Sequence, residues 1–369
     1  MVETIKDDGV GLYADFDNRA RRAAVKAERR STRTIPLVDF TAYTEGRDLA
    51  ARQEVARALR AACLTTGFFY LAGHGIAQEE FDTAHAWGLK FFQLPRAEKM
   101  KLDKSHHPAR QGWMPVGGMN PEANLDPDAD QKETFVLPRD YLPGEVEGEN
   151  PGVGQGNWPD PALLPGFRAF VGAHIMKRVA VGHRLCRALS LSLGLPEDWL
   201  DAAHRYPSTS LTYNYYPALD PDKVGRTQWG ISPHTDYGSF TLLSQDALGG
   251  LEIRDANDEW IDVPPLAGTF VVNIADLFSR WTNGLYRSSL HRASNYNGSG
   301  AARISLPLFF NPHPKAWIEC MPTCQAPGNP PKYEPVEAGP YIRALLEQSY
   351  RTGRPGVAQR TANERLKSL

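Results

Sequence analysis

From Ser210 onward the chain breaks into short β-prone runs, and nothing else in the sequence limits its fold as strongly. "LTYNYYP", "FTLLSQD", "LEIR" and "EWIDV" on either side of "DAND", "TFVVNI", "YRSSLHRAS" and "RISLPLFF" follow one another with turn residues between them. Six or more such runs predict an antiparallel barrel or sandwich of the jelly-roll kind.

The half before Ser210 reads differently. "TIPLVDFT" (34–41) is a short strand, and 48–67 is a helix carrying Leu49, Val55, Leu59 and Cys63, with Gly67 able to end it. "FFYLAGHGI" (68–76) is a buried strand, and 79–95 returns to helix with Pro95 as its break. Residues 166–194 form a long apolar helix and 339–350 a closing one. The stretch 103–165 is rich in Pro, Gly and Asp and reads as a lid or binding loop. The fold class is therefore α+β, a jelly-roll core flanked by helices that come mostly from the N-terminal half. The expected division is an arm (1–33), a helical and strand region packed on the barrel (34–205), the core (206–315) and a C-terminal segment (316–369), together one catalytic unit.

A net charge of −2 argues against nucleic acid or an anionic membrane surface as partner. The one basic run, "RRAAVKAERRSTR" (21–33), reads as a solvated arm. No apolar run approaches the ~18 residues of a membrane span, and the N-terminus has no apolar signal core. Cys320 and Cys324 form C-x-x-x-C without a second pair to complete a zinc site. With Cys63 and Cys186 they read as free thiols in a reducing cytoplasm, in a monomer or weak homo-oligomer.

Two polar residues then stand out in "ISPHTDYGSFTLLSQD" (231–246). On a strand His234 and Asp236 would share a face, about 7 Å apart. His291 lies on a later strand, and two histidines with one carboxylate are the facial set that holds non-haem Fe(II) with positions left open. The bland alternative is a buried His–Asp ion pair beside an unrelated histidine. Arg303 and Ser305, again two apart, face one way, and a buried guanidinium needs an anion. Thr212, Asn214 and Tyr216 offer polar groups on a neighbouring strand. Iron at one end and Arg303, Ser305 and Tyr216 at the other suit a dicarboxylate held at both ends, whereas an internal salt bridge is the alternative for Arg303. Alternation carries Pro307, Phe309 and Asn311 onto the same face as Arg303, towards the place where a substrate must sit, and Thr212 reaches the same region. His74, His174, His183 and His204 read as structural histidines without a carboxylate partner, His106 and His107 as loop residues, and Trp113 and Trp281 as packing.

The chain after residue 34 resembles the iron- and 2-oxoglutarate-dependent dioxygenases of the isopenicillin N synthase-like family. The resemblance runs through "IPLVDF", "GFFYLAGHGI", "FFQLPRAEKMKL", "ARQGWMPVG", "DQKETFVL", "NYYP", "HTDYGSFTLLSQD", "GGLEIR", "VVNIADLFSRWTNGLYRSSLHR" and "RISLPLFFNP", in family order. It implies a double-stranded β-helix with His234, Asp236 and His291 as iron ligands. Arg303, Ser305, Tyr216 and Asn214 would then hold 2-oxoglutarate, and Phe309 and Asn311 would contact a small-molecule substrate. Ala275 in "NIAD" and Gly73 before His74 depart from common family residues without touching either site. The implied reaction couples oxidative decarboxylation of 2-oxoglutarate by O2, giving succinate and CO2, to hydroxylation, desaturation or ring closure. A family oxidase that uses no 2-oxoglutarate, an ethylene-forming enzyme and a non-catalytic binding module are the rival readings.

Overall fold

A computed structural model describes residues 30–116, 130–154, 156–218, 229–294 and 301–351. The N-terminal half holds β1 (Arg30–Ser31), β2 (Leu37–Asp39), α1 (Thr41–Thr44), α2 (Leu49–Thr65), β3 (Phe68–Ala72), α3 (Gln78–Phe92) and α4 (Arg96–Met100). Next come β4 (Gly112–Met114), β5 (Glu133–Pro138), α5 (Phe167–Ser192) and α6 (Asp201–His204). The strand-rich half contains β6 (Ser208–Tyr216), β7 (Trp229–His234), β8 (Phe240–Gln245), β9 (Leu251–Arg254), β10 (Trp260–Val263) and β11 (Phe270–Ile274). After α7 (Asp276–Trp281) follow β12 (His291–Ser294), β13 (Arg303–Asn311), β14 (Trp317–Ile318), β15 (Val336–Glu337) and α8 (Ala338–Arg351).

The strands after residue 207 make the jelly roll. One sheet has the order β1-β10-β9-β12-β7, and the larger runs β2-β3-β11-β8-β13-β6-β5-β4. The two inner faces meet over an apolar floor of Ile35, Phe68, Tyr70, Ile253, Val263 and Val271. Against the outer face of the large sheet pack α2, α3 and α5, whose apolar sides merge with Leu242, Leu306, Leu308 and Phe310 into the main core. Arg178 of α5, fully buried, fastens this layer by donating to the Leu306 carbonyl at 2.8 Å and to the Ser244 hydroxyl.

Local chemistry explains the element ends. The Asp48 carboxylate accepts from the Ala51 amide at 2.9 Å and caps α2. Gly67, at φ 66°, turns the chain from α2 into β3. Two expectations fail. The 103–165 stretch is no plain loop, because β4 and β5 inside it extend the large sheet next to β6. The end of the basic run is not simply solvated either. Arg30 pairs with Glu252 at 2.6 Å and Asp262 at 3.1 Å, and Arg33 pairs with Glu259 at 3.0 Å and with Asp255. Asp255 and Glu252 are buried, and Glu252 is also held by the buried Arg292 at 2.6 Å, so Arg30 adds to a charge already paired. Residues 21–29 of that run lie outside the described residues.

Candidate active site

β7 ends at His234 and β12 begins at His291, and the ladder sets these two residues directly opposite each other. Their rings lie 4.2 Å apart between centroids. Asp236 corrects the sequence reading, since it lies beyond the end of β7 in the turn before β8. The reason lies in α7. The first amides of a helix have no partner within it, and here the Asp276, Leu277 and Phe278 amides donate to the carbonyls of Asp236, Tyr237 and Gly238 at 2.8, 3.1 and 3.2 Å. The helix start thus holds the turn, and the turn aims the carboxylate.

Each donor is prepared for a metal. His234 Nδ1 bonds the Ser232 carbonyl at 2.8 Å and His291 Nδ1 the Ser289 carbonyl at 3.2 Å. A carbonyl can only accept, so the proton sits on Nδ1 and the Nε2 lone pair is free. Asp236 Oδ2 accepts from the Thr241 hydroxyl at 2.6 Å and the Asn273 amide at 2.7 Å. Oδ1 is left facing the two Nε2 atoms at 3.9 Å (His234) and 3.8 Å (His291). Those separations are too long for hydrogen bonds, so a plain His–Asp pair does not account for them. The three ligand atoms lie within 4.8 Å of one another, a span one ion can bridge.

The electrostatics agree. Burial first, then the neighbouring His291, pushes His234 down to about 3, so its imidazole is neutral. Burial disfavours the Asp236 carboxylate, but the two imidazoles and the Thr241 and Asn273 hydrogen bonds outweigh it and hold the pKa below the ordinary value.

Arg303 and Ser305 stand opposite Tyr216 and Asn214 in the β13–β6 ladder, and Ser305 also faces Gln245 of β8. Arg303 is 2% exposed, its Nε donates to the Gly249 carbonyl, and its guanidinium lies 4.6 Å from the Tyr216 ring centroid. Its Nη1 has no hydrogen-bond partner, and neither has Asn214 Oδ1. Among the described residues no carboxylate pairs with Arg303, so the internal salt bridge is absent. An orphaned guanidinium nitrogen beside buried hydroxyl and amide groups fits a carboxylate. Phe309 is opposite Thr241, the residue that holds Asp236, and therefore shares the metal's side of the sheet. Asn311 occupies the space a Cβ on Gly238 would need. Thr212 is opposite Val136 on the same inner face.

The remaining polar residues divide. His74, His183 and His204 are structural, as read, but His174 does have a carboxylate partner, with Nδ1 bonded to Glu80 at 2.9 Å. Trp281 and Trp113 are packed in the core. The sequence reading missed Thr241 and Asn273, which hold the Asp236 carboxylate.

A jelly roll with this donor set at its rim and an arginine on its inner wall defines the non-haem iron oxygenases that consume a 2-oxo acid. Known proteins agree. The family model described as the 2OG-Fe(II) oxygenase superfamily matches residues 207–312, and that of the non-haem dioxygenase N-terminal region matches 35–161. A 2-oxoglutarate-Fe(II) type oxidoreductase of Emericella nidulans, hxnY, is 30% identical over 90% of this chain and 95% of its own. The 2-oxoglutarate-dependent dioxygenase caaD of Aspergillus niger is 34% identical over 75% and 84%. A full-length Neurospora crassa protein solved with α-ketoglutarate and thymine superimposes with a TM-score of 0.74 at 29% identity, covering 85% of this chain and 96% of its own. The chain belongs to the Fe(II)- and 2-oxoglutarate-dependent oxygenases of the isopenicillin N synthase-like type. It is a dioxygenase that takes Fe(II), 2-oxoglutarate and O2, and the comparisons favour this over the oxidase and ethylene-forming alternatives.

Proposed function

We propose that this enzyme hydroxylates a small organic molecule, with His234, Asp236 and His291 as its Fe(II) ligands and Arg303 as the anchor of 2-oxoglutarate. The observation that carries this reading is the division of labour at Asp236, where Oδ2 accepts two hydrogen bonds and Oδ1 faces the Nε2 atoms of both imidazoles. When bound, Fe(II) would let O2 act as the oxidant, with 2-oxoglutarate giving up two electrons as it loses CO2 and takes one oxygen atom to become succinate, and the other oxygen atom going to the substrate. The chain's own part is placement. Arg303 and Ser305 seat the distal carboxylate, with the Tyr216 ring against the guanidinium and Asn214 alongside. Phe309, Asn311 and Thr212 border the substrate and keep water from the reacting carbon. Regions 34–205, 206–315 and 316–369 act as one catalytic unit, and a reducing cytoplasm suits the four free thiols.

Replacement of His234 or Asp236 with Ala is expected to abolish iron-dependent turnover and tight iron binding while circular dichroism stays native. Arg303→Ala should raise the apparent 2-oxoglutarate constant about 10- to 150-fold, the equivalent of a charge-assisted hydrogen bond. An unchanged constant, or turnover without succinate, would return the oxidase reading.

A further inference from the structure

The pocket holds a second cation that the reading above does not use. Lys132 directly precedes β5 and is only 6% exposed. Glu133 stands opposite Tyr215 and Thr134 opposite Asn214, so alternation brings Lys132 to the Asn214 side of the sheet. That side carries Arg303, Ser305 and Thr241. Two residues earlier, Asp130 accepts from the amide and hydroxyl of Ser232 at 2.9 and 2.6 Å, which ties this segment to the strand that ends at His234.

Among the described residues, however, the Lys132 ammonium makes no hydrogen bond and no ion pair. The contrast with Lys99 is sharp, since that equally buried lysine is held by Glu133 at 2.7 Å and the Phe92 carbonyl at 3.0 Å. A lysine whose stem is this enclosed and whose ammonium has no protein partner is placed to meet an anion that enters the pocket, by a charge-assisted hydrogen bond. Nor does the reaction's own inventory supply one. The charges of Fe(II) and Arg303 are met in full by Asp236 and the two carboxylates of 2-oxoglutarate, and Lys132 is left over. Asp130, two residues away, is turned towards Ser232, and among the described residues it forms no ion pair with Lys132.

We propose that Lys132 binds the acid group of the substrate, which is therefore a small organic monoanion, in the simplest case a carboxylate. This rests on the Fe(II)/2-oxoglutarate reading of the site and adds the substrate's charge to it. Lys132 at one wall and Phe309 at another would hold the acid end and the apolar body, so that the oxidised carbon is fixed relative to the acid. Thr212 and Asn311 add neutral hydrogen-bonding groups between them.

The test uses the whole protein, loaded anaerobically with Fe(II) and 2-oxoglutarate, and calorimetry in place of turnover. The probes are benzoate, phenylacetate and cyclohexanecarboxylate, each against its own primary amide. At least one acid should bind the wild type roughly 10- to 150-fold tighter than its amide. Lys132→Met should erase that ratio and leave 2-oxoglutarate affinity within about twofold, as expected for a lost substrate contact and no other. Lys132→Arg should keep the preference for acids. An acid-to-amide ratio that survives in Lys132→Met overturns the proposal, as does wild type with no preference for any acid. A parallel fall in 2-oxoglutarate affinity would assign Lys132 to the cosubstrate and likewise overturn it. Wild type that binds no 2-oxoglutarate would remove the reading of the site itself, a result distinguishable from all of these.

Discussion

At Asp236 the two carboxylate oxygens are set apart, one held by the protein and one left facing the two imidazoles, where the proposed metal would sit. Thr241 and Asn273 do the holding, and they are cross-strand neighbours in the β8–β11 ladder. Groups that orient a metal ligand are commonly worth 10- to 100-fold in metal affinity. Thr241→Val and Asn273→Ala are each expected to weaken Fe(II) binding by about that factor, read by competition with a chelator, with little loss of fold. Unchanged affinity would mean that the α7 amides orient the carboxylate alone. At this scale the three candidate ligands were legible in the sequence, because two histidines and an aspartate are rare company in β-prone runs. Their supporters were not. Thr241 and Asn273 meet only through sheet register, which leaves no local pattern, and the orphaned Lys132 is an ordinary lysine until its burial is known.

Among the elements, two helix glycines lie directly against rings of the large sheet. A Cβ added to Gly182 of α5 would lie 2.3 Å from the Phe310 ring, and one added to Gly88 of α3 would lie 2.4 Å from that of Tyr213. Phe310 has nowhere to go, stacked on Phe240 at 4.9 Å and on His204 at 5.7 Å. Gly182→Ala gains helix propensity but overpacks the core, and a net loss of about 1–3 kcal/mol is expected as a lower thermal midpoint. A midpoint that rises would show that α5 can shift outward. The helices themselves were readable from apolar spacing and punctuation, Gly67 and Pro95 being examples. β4 and β5 were not, since a run as short as "ETFVLP" is drowned by the Pro-, Gly- and Asp-rich residues around it. The position of Asp236 was misread for the opposite reason. H-x-D looks like strand alternation, but the unpaired amides of α7, forty residues further on, decide the backbone there.

Across the whole molecule, the core carries neutral histidines whose titration couples fold to pH. Burial is the first cause that lowers His74, His85 and His204 from 6.5 to about 4. Below pH 6.5 the unfolded chain takes up these protons while the folded chain resists until about pH 4. Their contribution is therefore complete above pH 6.5 and is lost as the pH falls towards 4, by at most about 1.4 kcal/mol per pH unit for each. Thermal midpoints measured from about pH 7.5 down to about pH 5 should fall steadily; a flat profile would show these imidazoles to be hydrated. Among the described residues no helix is long and apolar enough to cross a membrane. The large sheet also has a history in time. β3 is hydrogen-bonded on one side to β2 and on the other to β11, from the opposite end of the chain. A ribosome adding about 5–20 residues per second delivers β11 roughly 10–40 s after β3. Through that interval the nascent "FFYLA" strand has one edge without its final partner, an apolar edge of the kind that invites pairing with another chain.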